Sequence, residues 1–233
     1  MTRLAFYDLD GTLCSSNVVE RYAFCARHHP SKARAIAKCG KLLVSVPLLL
    51  GLDFYSRTLF NQIFYREYRG MKKEWLQGLV GPLFEQVIRP SIYAGARDVV
   101  EADRARGFRP VLVTGELDFA LPPVVRYFGF DALISNSLVY ADGAATGEVV
   151  PPLIAEGEKA AAIKRICREY DADPTQSKAY SDSFSDAPML ESVGEPVAVN
   201  PDRRLKRVAA ERGWPVLEFR RGASKRGSNG HAG

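Results

Sequence analysis

The first twelve residues limit the possible folds of this chain most strongly. An apolar run at residues 4–7 leads directly into the sequence Asp-Leu-Asp-Gly-Thr at residues 8–12. If the run is a strand, side-chain alternation places Asp8 and Asp10 on the same side of it. Gly11 supplies the backbone freedom for a sharp turn. Because two like charges held this close favour a shared proton or a divalent cation, the sequence predicts a polar site at the end of a buried first strand.

The next part of the chain, to about residue 86, has the pattern of helices. Apolar side chains recur there at helical spacing, and the stretch contains no convincing strand. Asn17, with Glu20 three residues later, is typical of a helix N-cap. Pro30 separates one predicted helix from the next, and a second break is predicted at residues 51–53. We therefore predict a helical module inserted after the first strand.

From about residue 90 the pattern alternates between strands and helices. Helices are predicted between short apolar strands, and a hairpin turns at residues 142–143; the predicted strands are residues 110–114, 132–134, 178–181, 197–199 and 215–217. This order predicts an α/β fold, a doubly wound parallel sheet with helices on both faces. We predict a catalytic core at residues 1–14 and 90–219, a helical cap at residues 15–89, and a disordered tail at residues 220–233.

Composition excludes several classes of protein. The four cysteines form no CxxC pair and no signal-peptide pattern is visible, so we expect no zinc site and a reducing, cytoplasmic location. The net charge is +5, with a basic concentration at residues 27–41, but no groove-reading motif accompanies it and nucleic acid is not the expected partner. We interpret these basic residues first as a solvated helix face. The alternative is peripheral contact with a membrane through these residues and the apolar run at residues 42–52.

Polar residues cluster at the predicted carboxyl ends of the strands, which is where open parallel sheets bind ligands. A lysine near the start of a predicted helix joins them, and the candidate site residues are Asp8, Asp10, Thr114, Gly115, Lys159, Asp182 and Asp186. Together they supply carboxylates, a hydroxyl, a backbone N–H and an ammonium group. This set is suited to moving a phosphoryl group.

The chemistry of these groups suggests roles for them. Asp8 is ionised at neutral pH and can attack phosphorus to form an aspartyl-phosphate. Asp10 can protonate the leaving alcohol and then accept a proton from the attacking water. Thr114, the Gly115 N–H and Lys159 can hold phosphate oxygens. Because carboxylate and phosphate repel, Mg²⁺ is the expected cofactor, and its predicted ligands are Asp8, Asp10, Asp182 and Asp186.

Four motifs occur in this order: Asp8-Leu9-Asp10-Gly11-Thr12, Val113-Thr114-Gly115, Gly157-Glu158-Lys159, and Tyr180-Ser181-Asp182-Ser183-Phe184-Ser185-Asp186. Together they resemble the motifs of the haloacid dehalogenase superfamily of phosphatases, and the resemblance covers residues 4–219. It implies a Rossmann-like core, Mg²⁺, Asp8 as nucleophile, Asp10 as general acid and base, and a cap that chooses a small phosphorylated substrate.

The helical insertion resembles that of the type I-B branch, whose best-known member type is phosphoserine phosphatase. That enzyme carries an acidic cap residue soon after the first motif, whereas residues 15–17 are Ser, Ser and Asn here. The sequence therefore does not name the substrate. Candidates for contact with an anionic substrate tail are the cap residues Arg57, Arg66, Arg69 and Lys72. Glu116 and Asp118 are predicted to be first-turn helix acids.

Other functions could use the same residues. A phosphotransferase or mutase would pass the phosphoryl group to a second alcohol if the cap excludes water. A phosphatase could instead act on a lipid-like phosphate at a membrane surface. A signalling receiver domain also forms a phosphoaspartate, but the Asp-x-Asp pair and the helical insertion argue against it. The sequence leaves the oligomeric state open.

Overall fold

A central parallel sheet organises the protein. The computed structural model describes residues 2–220, without the side chains of residues 50, 53 and 54, so the predicted tail lies, from residue 221 onward, outside the described residues. The strands are β1 (Arg3–Tyr7), β2 (Phe108–Leu117), β3 (Ala132–Asn136), β4 (Leu138–Ala141), β5 (Ala144–Val149), β6 (Lys178–Ser181), β7 (Glu195–Val199) and β8 (Val216–Leu217).

Helices connect these strands. They are α1 (Val18–Arg27), α2 (Lys32–Tyr55), α3 (Arg57–Phe64), α4 (Lys73–Gly78), α5 (Val80–Leu83), α6 (Arg89–Ser91), α7 (Ala96–Ala105), α8 (Pro122–Phe128), α9 (Gly157–Glu169), α10 (Ala187–Glu191) and α11 (Arg203–Arg212). Short 3₁₀ turns occupy Tyr65–Tyr68, Asp118–Ala120, Pro174–Gln176 and Phe184–Asp186, and a π-helical turn occupies Phe84–Ile88.

The sheet has the order β3-β2-β1-β6-β7-β8, and every neighbouring pair is parallel. The β1 strand is central, and its side chains alternate between two apolar cores. Ala5 and Tyr7 pack with side chains of α7 and α8, whereas Leu4 and Phe6 pack with side chains of α9, α10 and α11. A strand covered on both faces must be apolar on both faces. The predicted doubly wound α/β fold is confirmed.

The helices α1 to α6 lie between β1 and β2 in the chain, as the predicted helical insertion requires. Aromatic side chains of α1 and α3, such as Tyr22 and Phe64, form a third apolar cluster. The antiparallel hairpin β4-β5 joins this cluster through Leu138 and Ala145. The Gly70 N–H also donates to the Ala145 carbonyl at 2.8 Å. The hairpin therefore packs against the cap helices, while the domain boundaries drawn from the sequence stay a prediction.

The predicted helix break at residues 51–53 is wrong. The α2 helix continues through Gly51 to Tyr55, and the chain leaves it at Ser56, whose hydroxyl accepts from the Leu59 N–H at 3.3 Å and caps α3. Glycine costs a helix only about 1 kcal/mol relative to alanine. The packing of Leu49 and Leu52 in the cap cluster outweighs that cost. Among residues 2–220, none of the helices combines the length and the apolar character needed to cross a membrane.

Candidate active site

The turn after β1 brings two distant carboxylates together. The Asp8 N–H donates to the Tyr180 carbonyl at 3.0 Å, which continues the pairing of β1 with β6 beyond the strand. The turn depends on Gly11, which has φ +80° and whose Cβ, if present, would lie 2.0 Å from Asp182 Oδ2. The Thr12 hydroxyl lies 3.2 Å from Asp8 Oδ2 and 3.3 Å from Asp182 Oδ1. Asp8 and Asp182 therefore share one neighbouring hydroxyl group.

The Lys159 ammonium lies between two other carboxylates. Its Nζ donates to Asp8 Oδ1 and to Asp186 Oδ2, both at 2.7 Å, and all three side chains are buried. The Ser181 hydroxyl also donates to Asp186 Oδ2 at 2.7 Å. Lys159 comes from the first turn of α9 and Asp186 from the loop after β6. The structure thus brings together Asp8, Lys159, Asp182 and Asp186, as the sequence led us to expect.

Burial and crowding of like charges perturb these groups. Burial raises the pKa of Asp8 to about 6, against the opposing effect of Lys159. Burial, followed by repulsion from Asp8 and Asp186, raises the pKa of Asp182 well above its usual range. Burial also disfavours the charged form of Lys159, but attraction to Asp186 and Asp8 outweighs it and raises the pKa of that lysine. The site therefore concentrates negative charge that a single ammonium group only partly balances.

Asp10 has different partners. Its Oδ1 accepts a hydrogen bond from Arg21 Nη1 at 2.6 Å, and the same Nη1 lies 2.6 Å from Glu116 Oε2. Arg21 and Glu116 are each only 1% exposed. Burial raises the pKa of Asp10, and the Arg21 charge opposes that rise. Asp8 and Asp10 are thus neighbours in sequence but face different cations.

The prediction that Glu116 is a first-turn helix acid is wrong, because β2 extends to Leu117 and contains it. Its Oε1 accepts from the Leu117 N–H at 2.7 Å while its Oε2 faces Arg21. Asp118 does begin a short 3₁₀ turn, and its carboxylate accepts from the Ser137 hydroxyl at 2.6 Å. No role was predicted for Arg21. The signal in the sequence was its spacing, which places it on the same face of α1 as the apolar Val18 and Cys25.

Thr114 and Gly115 lie near the carboxyl end of β2, the strand that pairs with β1. Both line the same cavity as Asp8 and Lys159. The Thr114 hydroxyl accepts from the Glu116 N–H at 3.1 Å. A Cβ on Gly115 would lie 3.1 Å from Asn61 Nδ2 of α3, so this glycine allows a cap helix to approach closely. Asn61 is a second residue of the site that sequence analysis missed.

Cap residues line one side of this cavity. Its volume is only about 30 Å³. Arg57 and Asn61 of α3 line it, together with Val18 of α1. The other predicted contacts for an anionic substrate tail point elsewhere: Arg69 Nε donates to the Thr146 carbonyl at 2.8 Å, and Lys72 Nζ donates to the Asp142 carbonyl at 3.3 Å.

Arg66 also lies against the hairpin, with its Cα 3.0 Å from the position that a Cβ on Gly147 would take. Among the four basic cap residues proposed from the sequence, Arg57 is therefore the one that lines the cavity beside Asp8 and Lys159. The other three lie against the hairpin β4-β5.

The donor set fits Mg²⁺ in its chemistry. Oxygen ligands are the ones that this ion prefers, and Asp8 and Asp182 present carboxylate oxygens beside the same Thr12 hydroxyl. The raised pKa of Asp182 marks negative charge that a cation would stabilise. Within residues 2–220, no three acidic, imidazole or thiol side chains are grouped as a preformed metal centre. The metal roles predicted for Asp8, Asp10, Asp182 and Asp186 therefore stay predictions.

Comparison with known families identifies the class of protein. The family model for haloacid dehalogenase-like hydrolases matches residues 5–191, which include all four sequence motifs. The chain belongs to the haloacid dehalogenase-like hydrolase family. The resemblance stated from the sequence and the predicted enzyme class, a phosphatase, are confirmed by this match and by relatives named as phosphatases.

Several curated proteins resemble the chain over most of its length. Probable phosphatase Rv3661 of Mycobacterium tuberculosis (strain ATCC 25618 / H37Rv) is 32% identical over 224 residues, which are 95% of this chain and 77% of that protein. Histidinol-phosphatase of Neisseria meningitidis serogroup C (strain 8013) is 30% identical over 242 residues, covering 94% of this chain and 100% of the relative. Phosphoserine phosphatase SerB1 of Mycobacterium tuberculosis is 27% identical, covering 94% and 72%.

Solved structures have the same fold. A protein of unknown function from Bordetella pertussis Tohama I matches with a TM-score of 0.80 and 27% identity, over 93% of this chain and 99% of that one. Phosphoserine phosphatase in its apo form matches with a TM-score of 0.70 and 17% identity, over 95% of each chain. At that identity the second match supports the fold alone.

Proposed function

We propose that the protein is a Mg²⁺-dependent phosphatase that hydrolyses a small phosphate monoester through an aspartyl-phosphate on Asp8. The observation that carries this proposal is the placement of Asp8. Its carboxylate is buried at the carboxyl edge of the sheet, 2.7 Å from the Lys159 ammonium, and its neighbour Asp10 is held separately by Arg21. A nucleophile and a proton donor are thus available within three residues.

In the first half-reaction, a carboxylate oxygen of Asp8 attacks phosphorus and the bond to the ester oxygen breaks. Asp10 donates its proton to the departing alkoxide oxygen, which leaves as the alcohol. The raised pKa of Asp10 favours this role, because a carboxyl group must be protonated to act as a general acid.

In the second half-reaction, water attacks the phosphorus of the aspartyl-phosphate. Asp10, now ionised, accepts the proton of this water, and inorganic phosphate departs as the Asp8 carboxylate is restored. The Arg21 guanidinium stabilises the ionised form of Asp10 in this step, since it donates to Oδ1 at 2.6 Å. Asp10 thus alternates between two protonation states in each turnover.

Positive and polar groups would hold the phosphoryl oxygens. Lys159 supplies fixed charge beside Asp8, and we assign Thr114 and the Gly115 N–H to the oxygens on the β2 side of the cavity. Asp8, the Asp10 carbonyl and Asp182 would hold Mg²⁺, and Asp186 would orient one of its water ligands. When bound, the ion neutralises the repulsion between the carboxylates and the phosphoryl group.

Relatives indicate which substrates to test first. A relative covered over its full length is named histidinol-phosphatase, and another is named phosphoserine phosphatase. Histidinol phosphate and phosphoserine are both small phosphate monoesters that carry an amine. A panel containing these two compounds, other phosphorylated metabolites and a short-chain lipid phosphate would identify the substrate class.

The test is hydrolysis of para-nitrophenyl phosphate with and without Mg²⁺. We expect Asp8→Asn to lower kcat by about 10⁴-fold or more, the scale of losing a covalent nucleophile. Asp131→Asn is the control, because Asp131 lies beside Arg104 and Arg109 at the amino end of β3, the opposite edge of the sheet. The proposal would be overturned if folded protein with Mg²⁺ hydrolysed no ester in the panel. It would also be overturned if phosphate were transferred to added alcohols and not released.

A further inference from the structure

One face of α2 is both apolar and exposed. Large side chains on it lie largely in solvent, with exposed fractions of 74% for Ile36, 75% for Leu43, 84% for Val44, 65% for Leu48 and 83% for Tyr55. Elsewhere in residues 2–220, the exposed large apolar side chains are Leu59, which is at the start of the neighbouring α3, Val150 and Val216. Exposed apolar surface is therefore concentrated on one helix.

These side chains form one continuous stripe. Ile36 and Leu43 are seven residues apart, Val44 and Leu48 four, and Leu48 and Tyr55 seven, so they recur at helical spacing on one side of α2. The exposed Gly40, Pro47 and Gly51 lie between them on the same side. The opposite face of α2 packs in the cap cluster through the buried Leu42 and Leu49. A helix of 24 residues has a length of about 36 Å, so the stripe is long as well as apolar.

Basic residues border the stripe. Lys32 and Arg34 are exposed at the start of α2, and Lys41 is 65% exposed while its Nζ also lies 2.6 Å from Glu67 Oε1. The sequence contains no acidic residue from 32 to 52, and Asp53 is the one acidic residue of α2. An exposed apolar face with a predominantly basic border complements a surface that is apolar inside and negatively charged outside.

Other occupants match this face less well. A second copy of the chain would bring its own basic border against Lys32 and Arg34, which is electrostatically unfavourable. The sequence beyond the described residues, 221–233, contains Arg221, Lys225 and Arg226 but no large apolar side chain, so it lacks groups to cover the stripe.

We propose that α2 docks on anionic lipid as an interfacial amphipathic helix, with its apolar stripe in the boundary between headgroups and acyl chains. The inner side of α2 contributes Val46 and Leu49 to a cavity of about 460 Å³ that reaches Asp10 and Asp182. Docking would hold this cavity within about one helix diameter, roughly 10–12 Å, of the lipid surface. The proposal concerns binding alone and does not depend on the proposed hydrolysis.

The experiment is co-sedimentation of the full chain with vesicles. Vesicles of phosphatidylcholine are compared with an equal mixture of phosphatidylcholine and phosphatidylglycerol, at low and at physiological salt. We expect binding to the anionic vesicles that weakens as salt rises. Replacing Lys32 and Arg34 by Gln should weaken it by about fivefold for each cation removed. The combined variant Leu43→Gln, Val44→Gln and Leu48→Gln should abolish it.

Matched controls separate the stripe from general effects of charge and exposure. Val150→Gln removes an exposed apolar side chain, and Lys206→Gln removes an exposed cation, both outside α2. We expect neither to change binding, and we expect all variants to retain the far-ultraviolet circular dichroism of the parent. Failure to sediment with anionic vesicles at low salt overturns the proposal. Binding that persists in the combined variant also overturns it. A parent protein that forms a dimer but binds no vesicles, with the dimer lost in the combined variant, overturns it as well.

Discussion

At the scale of single residues, the two aspartates of the first motif differ in the cations that they contact. Asp8 faces the Lys159 ammonium at 2.7 Å, whereas Asp10 faces the Arg21 guanidinium at 2.6 Å. Each cation bridges two carboxylates. Lys159 Nζ also contacts Asp186 at 2.7 Å, and Arg21 Nη1 also contacts Glu116 at 2.6 Å. The environment therefore supports different roles for two chemically identical side chains.

The acid role of Asp10 predicts a dependence on the leaving group. Asp10→Asn should lower kcat/KM for an alkyl phosphate by about 10²–10⁴-fold, because the alkoxide then leaves without a proton. The loss of kcat/KM should be much smaller for para-nitrophenyl phosphate, whose phenolate leaves readily unprotonated. Parallel steady-state kinetics on the two esters measure this difference, and kcat/KM is compared because kcat also includes the second half-reaction, in which Asp10 acts as base with both esters. Equal losses of kcat/KM on both would contradict the assignment of Asp10 as general acid.

The buried Arg21 predicts a large effect on stability. Arg21→Gln leaves the buried Glu116 carboxylate and the half-buried Asp10 carboxylate without their cation, and we expect the free energy of unfolding to fall by about 3–5 kcal/mol. Adding Glu116→Gln to this variant should restore part of the loss, because one of the two unpaired charges is then removed. Urea denaturation followed by circular dichroism measures both changes.

The control for this measurement is the exposed pair of Arg97 and Glu101, whose charged atoms lie 2.7 Å apart on α7. Arg97→Gln should lower the free energy of unfolding by only about 0.5 kcal/mol, as is usual for a solvated pair on a helix. If Arg21→Gln costs no more than Arg97→Gln, the ion pairs of Arg21 contribute little to folding.

At the scale of secondary-structure elements, Glu156 joins the cap to the core. It lies immediately before α9, the helix that carries Lys159. Its carboxylate accepts from the Arg57 N–H and from the Thr58 hydroxyl, each at 2.8 Å, at the amino end of α3. A negative charge is favourable there because the first amides of a helix lack partners within it. One side chain thus holds α3 beside the cavity that Asp8 and Lys159 line.

That contact predicts a change in cap opening. The cavity beside Asp8 and Lys159 has a volume of only about 30 Å³, so we expect the cap to move when a phosphate ester enters it. Glu156→Gln should raise the rate of amide hydrogen exchange in the first turn of α3 by about five- to tenfold, since it weakens a helix cap. Glu158→Gln is the control, because Glu158 pairs with Arg165 within α9. Equal exchange in both variants would show that Glu156 does not restrain the cap.

The boundaries of elements were harder to predict than their existence. The β2 strand runs three residues beyond the predicted end at residue 114, because its later residues pair with β3 at Asn136 and include the buried Glu116. The α2 helix crosses the predicted break because packing of its inner face decides its length. In both places a tertiary contact outweighed the local preference of the sequence.

At the scale of the whole molecule, the fold and half of the site could be predicted for one physical reason. Alternating strands and helices imply a parallel sheet, and such a sheet brings the residues after its strands to a single edge. That argument located Asp8, Asp182 and Asp186 correctly at one edge. It could not locate Arg21 or Asn61, because they come from cap helices whose position depends on packing with distant parts of the chain.

The central claim is that Asp8 becomes phosphorylated during turnover. Rapid quenching of the enzyme with substrate and Mg²⁺, reduction with borohydride and peptide mass spectrometry would locate the acyl-phosphate, because reduction converts a phosphorylated aspartate to homoserine. We predict homoserine at position 8, dependent on substrate and absent from the unreacted enzyme. Homoserine at another aspartate, or full phosphatase activity in Asp8→Asn, would contradict the account.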